Sequence, residues 1–212
     1  MSEVRSAADY VIGHQAEDGW LGPETGTARN LWGRMPFLLG LIQIAEADAT
    51  YRDKILPAMY RYNDLVHSML KNNFTGYLYH EGNELDKGDY QWGRNRVQDM
   101  MVSMQWLYEK YPGDSSTVIM ENLQLLYDGA MNWADWFVEG VYIAEDLNTF
   151  VTDPNPLYPY EHGVNAGQGL KAAAVYRRFT HDDTLLQTAR TGVNWGELDF
   201  CLPWRSFRDH SC

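Results

Sequence analysis

The sequence predicts an all-α protein, an incomplete α/α toroid of helical hairpins with about seven helices. Apolar residues recur at helical spacing along most of the chain, and almost nothing alternates as a strand does. Trp32-Gly33-Arg34 returns 60 residues later as Trp92-Gly93-Arg94, and Gly19-Trp20-Leu21 returns 57 residues later as Gly76-Tyr77-Leu78. A period of this size marks stacked supersecondary units that share one core.

The first helix is expected over 3–16, where Met1-Ser2-Glu3-Val4-Arg5 leads straight into an amphipathic stretch. Met35, Leu38, Leu39, Ile42 and Ala45 place the second over 31–47, and Ile55, Met59, Tyr62, Val66 and Met69 place the third over 51–71. Val97, Met100, Met101, Met104 and Leu107 predict a helix over 94–111, stopped by Pro112-Gly113. Asp114-Ser115-Ser116 caps the next, over 115–138, with Glu121 in its early turns and a stripe of Ile119, Leu123, Leu126, Ala130, Trp133 and Phe137. Thr180-His181-Asp182-Asp183 separates helices over 163–179 and 182–195. Short strand pieces are expected only at 76–79 and 141–143. The toroid domain spans 1–195, and 196–212 reads as an irregular tail.

Each unit reads as outer helix, Gly-aromatic loop, polar aromatic segment and inner helix. Glu161-His162-Gly163 takes the Trp-Gly-Arg place in the third unit, and Gly140-Val141-Tyr142 the Gly-aromatic place. Links from inner to outer helix are short, such as Asp48-Ala49-Thr50, whereas loops before inner helices run to about 15–25 residues, a length at which loops in compact domains carry function. Hairpins built this way have one plain end and one elaborate end.

Composition narrows the function. Of 212 residues, 17 are Lys or Arg and 29 are Asp or Glu, a net charge of −12 at pH 7. That balance disfavours nucleic acid, whose phosphates need a basic face, and anionic membrane surfaces. No apolar run reaches the roughly 20 residues of a spanning helix. Cys201 and Cys212 form no disulfide framework, and with His210 between them they make only a weak metal motif. No P-loop, dinucleotide glycine motif, nucleophile elbow or His-Glu-x-x-His is present. No signal peptide opens the sequence, which predicts a cytosolic protein or one whose leader precedes these residues. Asn73-Phe74-Thr75 fits a glycosylation sequon, a triplet common by chance.

The elaborate end is rich in aromatic and acidic residues. Its loops hold Asp18, Trp20, Glu24, Arg29, Asn30 and Trp32; then an acidic run from Glu81 to Asp89 with Tyr90, Trp92 and Arg94; then Tyr158, Tyr160, Glu161 and His162. Aromatic faces suit the C–H faces of sugar rings, and carboxylates, amides and guanidinium groups suit hydroxyls. Two readings stay open for each aromatic: a packing anchor at a hairpin junction, or a ligand platform. Arg34 and Arg94 equally suit loop carboxylates, and the acidic run suits solvent. His162, at a helix start, is the histidine best placed to face a ligand. A general acid and a second carboxylate are available in number, so glycosidase chemistry is permitted but not singled out.

Three segments carry a resemblance: Glu17-Asp18-Gly19-Trp20-Leu21-Gly22-Pro23-Glu24, Trp92-Gly93-Arg94-Asn95-Arg96-Val97-Gln98-Asp99-Met100-Met101, and Tyr160-Glu161-His162-Gly163-Val164-Asn165-Ala166-Gly167-Gln168-Gly169-Leu170-Lys171. In order and spacing they resemble the β-L-arabinofuranosidase-like glycoside hydrolases of family 127, over residues 5–195. The resemblance implies an (α/α)6 barrel followed by β-sandwich modules, and retaining hydrolysis of terminal β-L-arabinofuranose through a zinc-bound cysteine thiolate and a glutamate acid/base. It implies a sugar-binding role for His162 and cleft positions for Asp18, Trp20, Trp92 and Gln98. It assigns no catalytic or metal residue here, because Gly196-Glu197-Leu198-Asp199-Phe200-Cys201 does not match the family's continuation. The expected activity is that of a glycoside hydrolase-like catalytic-domain fragment, acting on or binding β-L-arabinofuranosides, without its own nucleophile, acid/base or zinc. The alternatives are a non-catalytic carbohydrate-binding module, or another toroid enzyme of the unsaturated uronyl hydrolase or epimerase type. Seven helices make about three and a half hairpins of six, so self-association through the open toroid edge is also expected.

Overall fold

The computed structural model describes residues 2–78, 92–138, 160 and 162–205, with side-chain surroundings given as far as Trp195. These residues are overwhelmingly helical, and none of them lies in a β-strand. The expected piece at 76–79 is, as far as Leu78, a bend closed by a single bridge between Thr75 and Leu78. The piece at 141–143 lies outside the described residues, as does the acidic run. No helix among the described residues is long and apolar enough to cross a membrane.

Contacts divide the chain into two compact units, Met1–Ala130 and Met131–Cys212, where the sequence reading runs one domain to 195. In the first unit, α1 (Ser2–Gly13) is followed by a 3-10 turn at Trp32–Arg34 and α2 (Met35–Ala47). Pro36 sits in the first turn of α2, where a missing N–H goes unused. Asp48 alone joins α2 to α3 (Ala49–Lys71): its backbone N–H closes α2 on Ile44, and its carboxylate accepts from the Thr50 N–H at 2.9 Å. A one-residue link forces the helices to fold back on each other. After α4 (Trp92–Asn95) come α5 (Val97–Lys110) and α6 (Ser116–Asp128).

Helix α2 packs against α3 and α5, α6 packs against α3 and α5, and α1 leans on α3. The helices thus form one row of α1, α3 and α6 and a second row of α2 and α5, the layering that stacked hairpins require. The expected stripe on α3 is buried at all five positions. Helix α5 goes further than its stripe: Gln98, Asp99, Ser103 and Gln105 are buried alongside Val97, Met100, Met101, Met104 and Leu107. A helix covered all round is interior to its fold. Between α3 and α6, buried Asn122 donates through Nδ2 to both the backbone O and Oδ1 of Asn63, each at 2.9 Å.

The single helix expected over 115–138 is broken after Asp128. Arg94 Nε donates to the Gly129 carbonyl at 2.9 Å, an acceptor that a continuing helix would use. The Tyr77 ring also lies where a Cβ on residue 129 would stand, 2.6 Å away. The second unit then holds α7 (Trp133–Trp136), α8 (Gly163–Gly169), α9 (Ala172–Thr180) and α10 (Thr184–Arg205). Helix α7 packs on α9 and α10, which pack on each other, and α8 packs on α9. Gly169 lets α8 come against the Trp133 indole, with no room for a Cβ. The expected irregular tail is corrected: α10 continues past Trp195 to Arg205, so 196–205 is helical.

Truncating Asn122 to alanine strands the buried Asn63 Oδ1, so Asn122→Ala should lower the unfolding free energy by about 1–3 kcal/mol in urea titrations. Between α3 and α6, Glu121 accepts from His67 Nε2 at 2.7 Å and Lys71 at 3.1 Å, and these partners, His67 foremost, hold its carboxyl below the usual glutamate range. A depressed carboxylate stabilises the fold above its unfolded pKa and loses that contribution as the pH falls through its folded value. Glu121→Gln should therefore flatten the stability–pH curve below about pH 4.5, the acid limb, and leave the alkaline side unchanged.

Candidate functional site

The loop after α1 is built on Gly19, whose φ of +100 suits glycine, and any Cβ there would collide with the Arg61 carbonyl of α3. Ala16 and Trp20 close the turn with an N–H···O bond of 2.9 Å, and Gln15 Nε2 ties it to α3 through the Ala58 carbonyl at 2.9 Å. The turn drives Trp20 beneath α3, where it is fully buried with its ring 5.9 Å from Tyr62. The guanidinium groups of Arg29 and Arg34 lie over the same indole at 5.3 and 5.6 Å. Its Nε1 donates to Glu24 at 3.3 Å, while Arg34 bonds Glu24 at 3.1 Å and the Leu21 carbonyl at 2.6 Å. Burial pushes the Tyr62 phenol far above its ordinary pKa.

Asp18 closes the outside of this clamp. Arg29 grips it with two N–H groups, at 2.5 and 3.2 Å, and this pairing holds its carboxyl below the usual aspartate range. For Trp20, the packing alternative is the one the structure realises: no part of the indole is open to a ligand. Gln98 is likewise buried on α5, donating to the Asn95 carbonyl at 3.3 Å. These two expected cleft positions are corrected to interior ones.

The repeat reproduces the turn. Gly76 has φ +77, and Tyr77 after it is fully buried, its hydroxyl donating to the Leu126 carbonyl of α6 at 2.9 Å. Leu31 donates its N–H to the Gly76 carbonyl at 2.9 Å, which joins the first loop to the second. Just past Leu31, the repeat-related Trp32 and Trp92 meet, ring centroids 5.7 Å apart and inclined at 31°. Arg96 lies over both, at 4.6 Å from Trp92 and 5.5 Å from Trp32. Burial disfavours the Arg96 charge, and Asp99 offsets part of that. Both tryptophans are half-buried. Arg96 was not singled out by sequence reasoning, although it stands four residues after Trp92, one helical turn on.

His162 lies in the second unit, half-buried, as the N-cap of α8. Two residues earlier, Tyr160 stacks on Trp136 at 4.7 Å and meets Trp133 edge-on at 4.9 Å. The structure therefore gathers Asp18 and Trp20 in one clamp and sets Trp92 beside Trp32, with His162 in the second unit. Glu81–Asp89, Tyr142, Tyr158 and Glu161 fall outside the described residues. Among the described residues, no three His, Cys, Asp or Glu side chains gather as a metal ion would need, and Cys201 and Cys212 lie beyond the side chains described. A hollow of about 510 Å3 between α1 and α2, lined by apolar residues such as Val4, Ala8, Phe37 and Ile44, includes none of the expected site residues.

What the Trp32, Trp92 and Arg96 group can do is present an aromatic surface beside a cation, able to stack on an apolar ring face and donate to its oxygens. No family model, curated protein or solved structure matches the chain.

The two tryptophans should separate cleanly in a stability measurement. Trp20→Ala should cost about 3–5 kcal/mol, as deletion of a fully buried aromatic does. Trp92→Ala should cost about 1 kcal/mol, the scale of a half-exposed cation–π contact. Equal losses in urea titration would contradict the assignment of one as anchor and the other as surface.

Proposed function

We propose that the chain is part of an α/α toroid that binds carbohydrate at its elaborate end, with terminal β-L-arabinofuranose as the sugar. The support comes from three sources: two rows of packed helices, long loops rich in aromatic residues before the inner helices, and the family 127 resemblance of the segments around Trp20, Trp92 and His162. The single observation that carries the reading is the meeting of Trp32 with Trp92. Two repeats deliver equivalent, half-buried indoles to one aromatic pair under Arg96.

The proposed activity is binding and not turnover. Asp18, one of the acids in the loop around Trp20, is ion-paired below the usual carboxylate range, the opposite of the raised pKa a general acid needs. Residues 1–195 contain no cysteine to act as a thiolate nucleophile, and the resemblance assigns no acid/base glutamate among them. No step is assigned to zinc.

Titration of the 212-residue chain with an arabinofuranose-terminated oligosaccharide should quench tryptophan fluorescence, and Trp92→Ala should weaken binding roughly tenfold, about 1.4 kcal/mol. An aryl β-L-arabinofuranoside should stay intact, with or without added zinc. Absence of any response to the sugar in the unaltered protein would overturn the carbohydrate reading, and release of the aryl group would overturn the assignment to binding alone.

A further inference from the structure

We infer that residues 3–10 of α1 form a salt-released flap over the apolar face of α2, clipped to α3 by charged side chains while the far end of α1 stays fixed. From Glu3 to Gly13 only Ala8 is buried, and Val4 and Tyr10 are 53% and 66% exposed. A helix of 12 residues is marginal by itself, so α1 depends on what it docks against. Its apolar docking is slight, because the hollow of about 510 Å3 lies between Val4, Ala7 and Ala8 on α1 and Phe37, Gly40 and Ile44 on α2.

What holds this end is polar. Arg5 pairs with Asp48 at 2.7 Å, and Asp9 accepts from the Tyr51 hydroxyl at 2.6 Å and from Lys54 at 3.1 Å. The Arg5 and Lys54 cations also lie over the Tyr51 ring, at 5.4 and 4.8 Å. These pairs are partly exposed, so each contributes little and dissolved salt screens it. The other end is fixed by different means. Gln15 donates to the Ala58 carbonyl of α3 at 2.9 Å and to the Gly19 carbonyl at 2.7 Å, accepts from Arg61, and leads into the turn that buries Trp20. Val11 and Ile12, both half-buried, belong to this end. Bonds to neutral carbonyls and a buried ring respond little to ionic strength. Screening therefore loosens the first end alone, and when residues 3–10 lift, Phe37, Leu41 and Ile44 lose their cover.

Hydrogen exchange on the full chain tests this. Raising sodium chloride from roughly 20 mM to about 1 M should speed exchange at residues 6–10 about threefold or more, relative to Ile55–Leu70 in the core of α3. Asp9→Ala should show the fast exchange already at low salt. Alanine is the better helix former, so the gain reflects the lost clip and not a lost propensity. Glu3→Gln, an exposed change outside the cluster, should exchange as the unaltered protein does. Nile red, a neutral dye that reports apolar surface, should shift to the blue in Asp9→Ala. Salt-insensitive exchange at residues 6–10 in the unaltered protein, or an Asp9→Ala pattern like the unaltered one, overturns the flap. Equal acceleration at residues 15–20 overturns the division into a clipped and a fixed end, and an unmoved Nile red spectrum overturns the uncovering of α2.

Discussion

The glycine turns after α1 and α3 govern the first unit. At Gly19 and again at Gly76 the backbone takes a positive φ and sends the next aromatic ring under the following outer helix. Trp20 lands against Tyr62 of α3, and Tyr77 reaches the Leu126 carbonyl of α6. Each hairpin is therefore held by an aromatic from the hairpin before it, so the loops act as fasteners as well as connections. Arg34 and Arg94, at equivalent places in the repeat, both secure loop carbonyls, of Leu21 and Gly129 respectively. The meeting of Trp32 and Trp92 depends on this fastening, because Leu31 is tied to Gly76 just before it.

The hairpins were legible because helical burial leaves a periodic trace. The stripe from Ile55 to Met69 is buried at every predicted position, and the turn glycines repeat at the spacing of the units. The surroundings of α5 were not legible. Gln98, Asp99 and Gln105 are polar, and only tertiary packing puts them inside. Nor does sequence separate a tryptophan that anchors from one that stays open, since both need the same large flat ring. The difference between Trp20 and Trp92 comes from tertiary packing, since Trp20 is fully buried beside Tyr62 of α3 and Trp92 is half-buried beside Trp32, which no pattern of residue types records. The break at Gly129 was hidden for a similar reason, because Arg94 and Tyr77 impose it from afar. Helix α10 runs past Trp195 to Arg205 although the motif resemblance stops there, since helix propensity does not follow family boundaries.

In a chain with net charge −12, several cations among the described residues pair with carboxylates across helices. Arg5 holds Asp48, Lys54 holds Asp9, Lys71 shares Glu121 with His67, and Lys110 shares Glu46 with the Trp106 indole. Exposed pairs of this kind are each worth little. Their placement between α1 and α3, α3 and α6, and α2 and α5 sets which helix faces meet more than how strongly they hold. Arg96 differs in lying over two indoles, and its desolvated guanidinium is the cation in the first unit whose setting most resembles recognition surfaces.

Asp48 is both the stop of α2 and the start of α3, and its carboxylate also takes Arg5 from α1. Three helices are thus geared to a single side chain at a joint with no spare residue. An inserted or deleted residue there would rotate α3 by about 100° about its axis, a consequence of 3.6 residues per turn. Ile55 and Tyr62 would swing away from the interior, and Trp20 would lose the surface it rests on. Length changes fit more easily into the long connections before α2 and α5, so divergence among copies of this architecture would accumulate there and spare the hinge.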